Sequence, residues 1–357
     1  MSCAGCVVAA KSLAFLKNRL ESFMPRFLTL TLSLFISSLV QAAEPSVALM
    51  TAGSTNDGGW SQLAKEGLDK LTAAGSKTTV VQKISADRAA TELRDFAADG
   101  YQLVIAHGYE FLNPATEAAK TITTTFFAVS GADVARPGIV TIDFDVSQAS
   151  YQLGIIAGTM TKTGKLGFIG GGAFPSVKAC YRGFAAGAKS VRPDVTVAEA
   201  YTSWDQVTQN KSQAEAFISQ GIDHIYPDVD AAARGVYEAV KEHNTANPTK
   251  LVWTYGCVGD ANANPAAGQW TLASAIIRLD NAFAHVVKQV RDNAWKPGVV
   301  SENLATETCV TVLNPKLIGT TIDTDLQAKV AAAGKDFIAG TLKIPADSPI
   351  PATAPAK

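Results

Sequence analysis

The chain has 357 residues, 47% hydrophobic and 18% charged, with 28 glycines and 15 prolines. This is globular composition, which excludes wholesale disorder and collagen-like repeats, and the length predicts two domains that each bury a core. With 31 basic against 32 acidic residues and no block of like charge, a nucleic-acid surface is not expected.

In chain order, the first feature is a targeting segment. Met24-Pro25-Arg26 leads into an apolar run from Phe27 to Val40, closed by Gln41-Ala42-Ala43. A basic start, a short apolar core and small residues at the end make a secretory signal, cleaved after Ala42 or Ala43, with Met24 a possible true start. The run is too short and too rich in Ser and Thr for a membrane anchor. Its removal takes Lys11, Lys17, Arg19 and Arg26 but only Glu21, so the exported chain is mildly acidic. Cys3 and Cys6 go with it and leave Cys180, Cys257 and Cys309. In an oxidising compartment these allow one disulfide, Cys257–Cys309 as the first guess, or three buried free thiols.

Strands and helices then alternate. Strand patterns at Ser46–Thr51, Thr78–Ile84, Gln102–Ala106, Thr125–Val129 and Ile139–Ile142 are interleaved with helices over Trp60–Ala74 and Ala86–Asp99. In the first helix Trp60, Leu63, Gly67, Leu68 and Leu71 fall on one face at i, i+3, i+4 spacing. A second series follows. Helices are predicted over 147–161, 177–191, 206–220, 232–242 and 279–294, and strands over 165–169, 196–201, 224–226, 251–254 and 270–277. The tail from Ser348 is rich in Pro and Ala and is expected to be mobile. This repetition predicts an α/β fold of two doubly wound parallel-sheet lobes. One lobe is expected to comprise 44–145 plus about 278–300, the other 146–277 plus about 301–345.

Ligands of such sheets sit beyond the strands' carboxyl ends, which directs attention to the residues after each strand. After the first come Asn56, Asp57, Gly58, Gly59 and Trp60. The glycines allow close backbone approach and the indole offers a flat face, whereas Asp57 either meets a ligand or caps the helix. After the third stand His107, Gly108 and Tyr109; the tyrosine fits a pocket wall and the histidine reads as structural. From the second series come Trp204, then Tyr226, Asp228 and Asp230, then Asp260, with carboxylates suited to accept from a ligand NH or OH.

Catalytic signatures are missing: no H-E-x-x-H, no G-x-S-x-G, no P-loop, and no C-x-x-C outside the signal region. Gly170-Gly171-Gly172 lacks the spacing of a dinucleotide site, and His107, His224, His243 and His285 lack metal-ligand spacing. A non-enzymatic protein without cofactor or metal is therefore expected.

The residues resemble those of one family. Asn56-Asp57-Gly58-Gly59-Trp60, the Lys165–Gly171 strand with Pro175, Gly183–Ala188 with Arg192-Pro193-Asp194, Ser203-Trp204-Asp205 and Gln220-Gly221 with Asp223 occur in the order of the basic membrane protein family. Members of this family are substrate-binding proteins of ABC transporters that take purine nucleosides or nucleobases. The resemblance implies a type I periplasmic binding fold, with Trp60 stacking on the base, Asp57 beside it and Asp260 at ribose hydroxyls. Tyr226 and Asp228 fall near second-lobe contacts. Two departures stand out: there is no lipidated Cys near residue 43, and Ser61 stands where relatives often carry Asn. The expected function is a periplasmic, monomeric receptor passing a purine-like ligand to an inner-membrane ABC permease. A receptor for a sugar or another small polar metabolite, or a secreted hydrolase, is the alternative.

Overall fold

The computed structural model describes residues 43–345, so the expected signal segment and the Pro/Ala-rich tail lie outside the described residues. Twelve named strands build two sheets of six. The first half runs β1 (Val47–Thr51), α1 (Trp60–Ala73), β2 (Thr78–Val81), α2 (Ala86–Ala98), β3 (Leu103–His107), α3 (Leu112–Ala119), β4 (Phe126–Ser130) and β5 (Val140–Phe144). Then come α4 (Ser147–Met160), β6 (Lys165–Gly170), α5 (Pro175–Val191), β7 (Thr196–Tyr201), α6 (Val207–Ser219), β8 (His224–Asp228), α7 (Ala233–Ala246), β9 (Trp253–Val258) and β10 (Thr271–Ile277). The chain ends with α8 (Leu279–Arg291), β11 (Gly298–Glu302), β12 (Cys309–Leu313) and α9 (Thr324–Ile338).

The sheets have matching orders, β11-β5-β4-β3-β1-β2 and β12-β10-β9-β8-β6-β7. Every pairing is parallel except that of β10 with β12. β1 and β3 are buried along their whole length, as strands covered by helices on both faces must be. The chain passes between the sheets three times: after β5, after β10, and between β11 and β12. These crossings gather the carboxyl ends of both sets of parallel strands.

Four elements escape a reading by periodicity: α3, β11, β12 and α9. Strand β11 carries Val299 exposed at a sheet edge, so it lacks the continuous apolar run of the interior strands. Helix α9 starts where Asp323 accepts the Leu326 amide at 2.8 Å, an N-cap of the usual kind. β2 stops at Val81, short of the expected Ile84, and β9 starts at Trp253, beyond the expected Leu251.

The guessed Cys257–Cys309 disulfide is overturned; all three cysteines are free. Cys257 pairs with Ala275 and Cys309 with Ile277, on opposite sides of β10. Two inter-strand steps of about 4.8 Å separate them, beyond the reach of a disulfide.

Helices α4 and α5 interlock through glycines. A Cβ on Gly187 would lie 1.9 Å from the Tyr151 carbonyl oxygen, on Gly183 2.2 Å from that of Ser147, and on Gly154 2.1 Å from that of Phe184. These obstacles are backbone atoms, which no rotamer change can move. Gly187→Ala is therefore expected to destabilise the protein by about 1–3 kcal/mol, the usual cost of overpacking, read as a lower midpoint in denaturant at unchanged slope. An unchanged midpoint would show that the helix pair can spread freely.

Candidate ligand site

The turn between β1 and α1 is organised by one carboxylate. Asp57 accepts from the amides of Gly59 at 2.9 Å, Ser61 at 3.0 Å and Gln62 at 3.1 Å, covering the free N–H groups at the start of α1. Asp57 thus caps α1 and thereby fixes where Trp60 emerges. Ser61 is buried beneath this turn.

The Trp60 indole stacks on the His107 ring, with centroids 3.9 Å apart and planes at 25°, and meets Phe144 edge-on at 5.6 Å. His107 is tied on both nitrogens. Nε2 donates to the Trp60 carbonyl at 3.0 Å, so Nδ1 accepts from the Ser130 hydroxyl at 2.6 Å. Burial pushes its pKa down to about 3, against smaller upward effects of the Trp60 carbonyl and Asp57. The ring is a neutral, structural support. Gly131 also lies close to the indole, where a Cβ would fall 3.2 Å from Cζ2, and the indole remains half-buried, so part of its surface reaches solvent.

From the second sheet, the loop after β8 brings an acid against this turn. A Cβ on Gly59 would lie 3.0 Å from Asp230 Oδ1. Asp230 has φ +42°, a strained value for a residue with a side chain, and is half-buried. Burial, then the charges of Asp228 and Asp57, raises its pKa to about 7. A strained, half-buried acid that titrates near neutrality where the two sheets' loops meet has the attributes of a functional group. The sequence pointed to this segment through Tyr226, Asp228 and Asp230; of the two acids, Asp230 is the one held against Gly59.

The other expected residues differ in exposure, and the Trp204 carbonyl accepts from the Ala232 amide at 3.1 Å, beside Asp230. Asn56 is exposed on the β1–α1 turn, and Tyr109 is 56% exposed after β3. Trp204 is half-buried over Gly171, where a Cβ would fall 2.3 Å from its ring, and it faces Phe174 at 6.3 Å. Asp260 is exposed and accepts from the Asn262 amide at 2.9 Å and the Ser274 hydroxyl at 3.0 Å, leaving one oxygen free. Tyr226 departs from expectation: its side chain is fully buried, its hydroxyl shared with Ser150 at 3.0 Å and donated to Cys257 Sγ at 3.1 Å. It packs the core between Phe168 and Phe184 and offers a ligand no surface. Asp228 is 5% exposed and turned toward the thiols of Cys180 and Cys257, and burial raises its pKa to about 6.

The sequence pattern of the family described as "Bmp: ABC transporter substrate-binding protein PnrA-like" matches residues 44–339. The chain belongs to this family. It is 27% identical over 317 residues to a CD4+ T-cell-stimulating antigen of Listeria monocytogenes, covering 84% of this chain and 88% of that protein. It is 24% identical over 303 residues to the ABC transporter nucleoside-binding protein BmpA of Lactococcus lactis, covering 82% and 85%. With a purine-binding protein of Brucella abortus it shares 27% identity over 193 residues, 52% and 55% of the two chains. Among solved structures, a solute-binding protein of an ABC transporter system from Conexibacter woesei superposes with a TM-score of 0.70 at 24% identity, covering 84% and 98%. The expected two-sheet α/β architecture of the type I binding fold is thus found, and the protein is an ABC-transporter substrate-binding protein.

Proposed function

We propose that this protein is an exported, monomeric, non-enzymatic receptor that closes its two lobes over a purine-like base or nucleoside and presents it to the permease of an ABC importer. The lobes are those read from the sequence, 44–145 with about 278–300 and 146–277 with about 301–345, cleavage after Ala42 or Ala43 releasing the mature chain to the periplasm. One observation carries the reading: Gly59 brings Asp230 of the second sheet against the turn that presents Trp60 from the first. The indole stacks on the base while Asp230 takes its N–H groups, or donates to a ring nitrogen when protonated. Tyr109 and Trp204 form the rim with Asn56, and Asp260 turns its free oxygen to ribose. The names of the Lactococcus and Brucella relatives agree with this ligand class. Few polar contacts suffice to orient a flat ligand clamped in this way, and hinge closure supplies the surface a permease reads.

The test is native mass spectrometry of the purified protein for retained ligand, followed by calorimetry with adenine, adenosine, guanosine and ribose. Binding of the bases or nucleosides but not ribose supports the reading; binding of ribose alone overturns it in favour of a sugar. If Asp260 holds ribose, Asp260→Ala weakens nucleosides by about tenfold, one lost hydrogen bond to a charged group, and leaves free bases unaffected. Equal losses for both would remove that role.

A further inference from the structure

We infer that Cys180, Asp228 and Cys257 form a binding site for a thiophilic d10 cation of the zinc class, beneath the carboxyl end of β8. The three residues come from α5, β8 and β9, and one donor atom from each lies within 4.8 Å of the others. A tetrahedral ion with Zn–S of about 2.3 Å and Zn–O of about 2.0 Å needs its donors roughly 3.5–3.8 Å apart, so rotamer adjustment closes the set onto it. Two sulfurs and a carboxylate are the donors such ions prefer, and a site with three protein ligands keeps a fourth position for water or a ligand. Cys257 is the half-buried member of the set, whereas Cys180 and Asp228 are buried.

The surroundings suit a metal better than bare side chains. Asp228 is 5% exposed and is paired with no basic side chain among the described ion pairs. Its partners are the thiols, which are weak donors. A buried carboxylate so poorly compensated gains from a cation. The Tyr226 hydroxyl donates to Cys257 Sγ at 3.1 Å and is itself backed by Ser150 at 3.0 Å, an outer shell of the kind that orients a metal-bound thiolate. On binding, each S–H releases its proton to solvent and the sulfur lone pair forms the metal bond; nothing is oxidised. The sequence conceals the set because its members are dozens of residues apart and meet only through the sheet.

The experiment uses a Cys3→Ser/Cys6→Ser background, since those thiols would bind the probe themselves. The purified protein, reduced with a phosphine and desalted under argon, is titrated with Cd2+ while its ultraviolet thiolate-to-metal charge-transfer band is followed, and Zn2+ is then added as competitor. One Cd2+ per chain is expected, displaced by Zn2+, with the band lost in Cys180→Ser and in Cys257→Ser. Asp228→Asn should weaken binding at least tenfold, and Cys309→Ser should leave it unchanged. Should Cys180→Ser fail to fold by circular dichroism, Cys257→Ala at the half-exposed position decides. Absence of a stoichiometric band, its persistence without Cys257, or a mass two hydrogens light from a Cys180–Cys257 disulfide formed despite reduction would each overturn the site. None of these readouts depends on which organic ligand the cleft takes.

Discussion

Replacing Trp60 by alanine is expected to cost this receptor its ligand while leaving it folded. The indole stands at the carboxyl end of β1 on the first turn of α1, one face on His107 and an edge against Phe144. Stacking of a base on an aromatic side chain contributes about 1–3 kcal/mol by alanine substitution. Affinity for adenosine or adenine should thus fall by roughly tenfold to a hundredfold, measured by calorimetry. Because the indole is only half-buried, the cavity left behind costs less than one in a closed core, and the Asp57 cap remains to hold the turn. Trp60→Phe keeps a flat face and should retain most of the affinity, which separates loss of stacking from local collapse. Wild-type affinity in Trp60→Ala, with an unchanged melting curve, would remove the indole from the site and the purine reading with it.

How legible the cleft is from sequence depends on the kind of signal each residue leaves. The apolar runs of β1 and β3 and the one-sided face of α1 are local and periodic, so the interior of both sheets can be read directly. β11 and β12 are edge strands with a single fully buried residue each, and such strands carry no continuous buried run. Trp60 could be placed because it follows a strand and two glycines. Asp230 could not be told from Asp228, since one ends the strand and the other follows it by two residues. What separates them is a backbone turn to φ +42°, which points one carboxylate at Gly59 and leaves the other among thiols. Tyr226 misled for a related reason: strand alternation says that a side chain leaves the sheet plane but not what covers that face. Here α5 does, through Phe184. The cysteine pairing failed because it required register across three strands, which no local pattern encodes.

His107 links the same cleft to pH. Folded, it is held neutral with a pKa of about 3, while in the unfolded chain it titrates near 6.5. The unfolded state therefore binds a proton that the folded state refuses between these values. The stability contributed by the buried neutral ring is complete above pH 6.5 and is lost as the pH falls toward 3, at about 1.4 kcal/mol per unit. His224, buried and lowered to about 4, acts in the same direction. Asp228 and Asp230, raised to about 6 and about 7, act oppositely, because folding makes them take protons sooner and so favours the folded state in acid. These four groups oppose one another, so a comparison with a variant is needed to isolate the imidazole. In urea unfolding of wild type and His107→Asn, the stability gap should narrow by about 2 kcal/mol between pH 7 and pH 5, since only wild type carries the penalty. A constant gap would mean that His107 accepts its proton while folded. The same substitution removes the ring on which Trp60 rests and the Nε2 donor to its carbonyl, so at pH 7 the variant should also bind adenosine more weakly than wild type. Loss of stability without loss of affinity would show that the indole holds its position unaided.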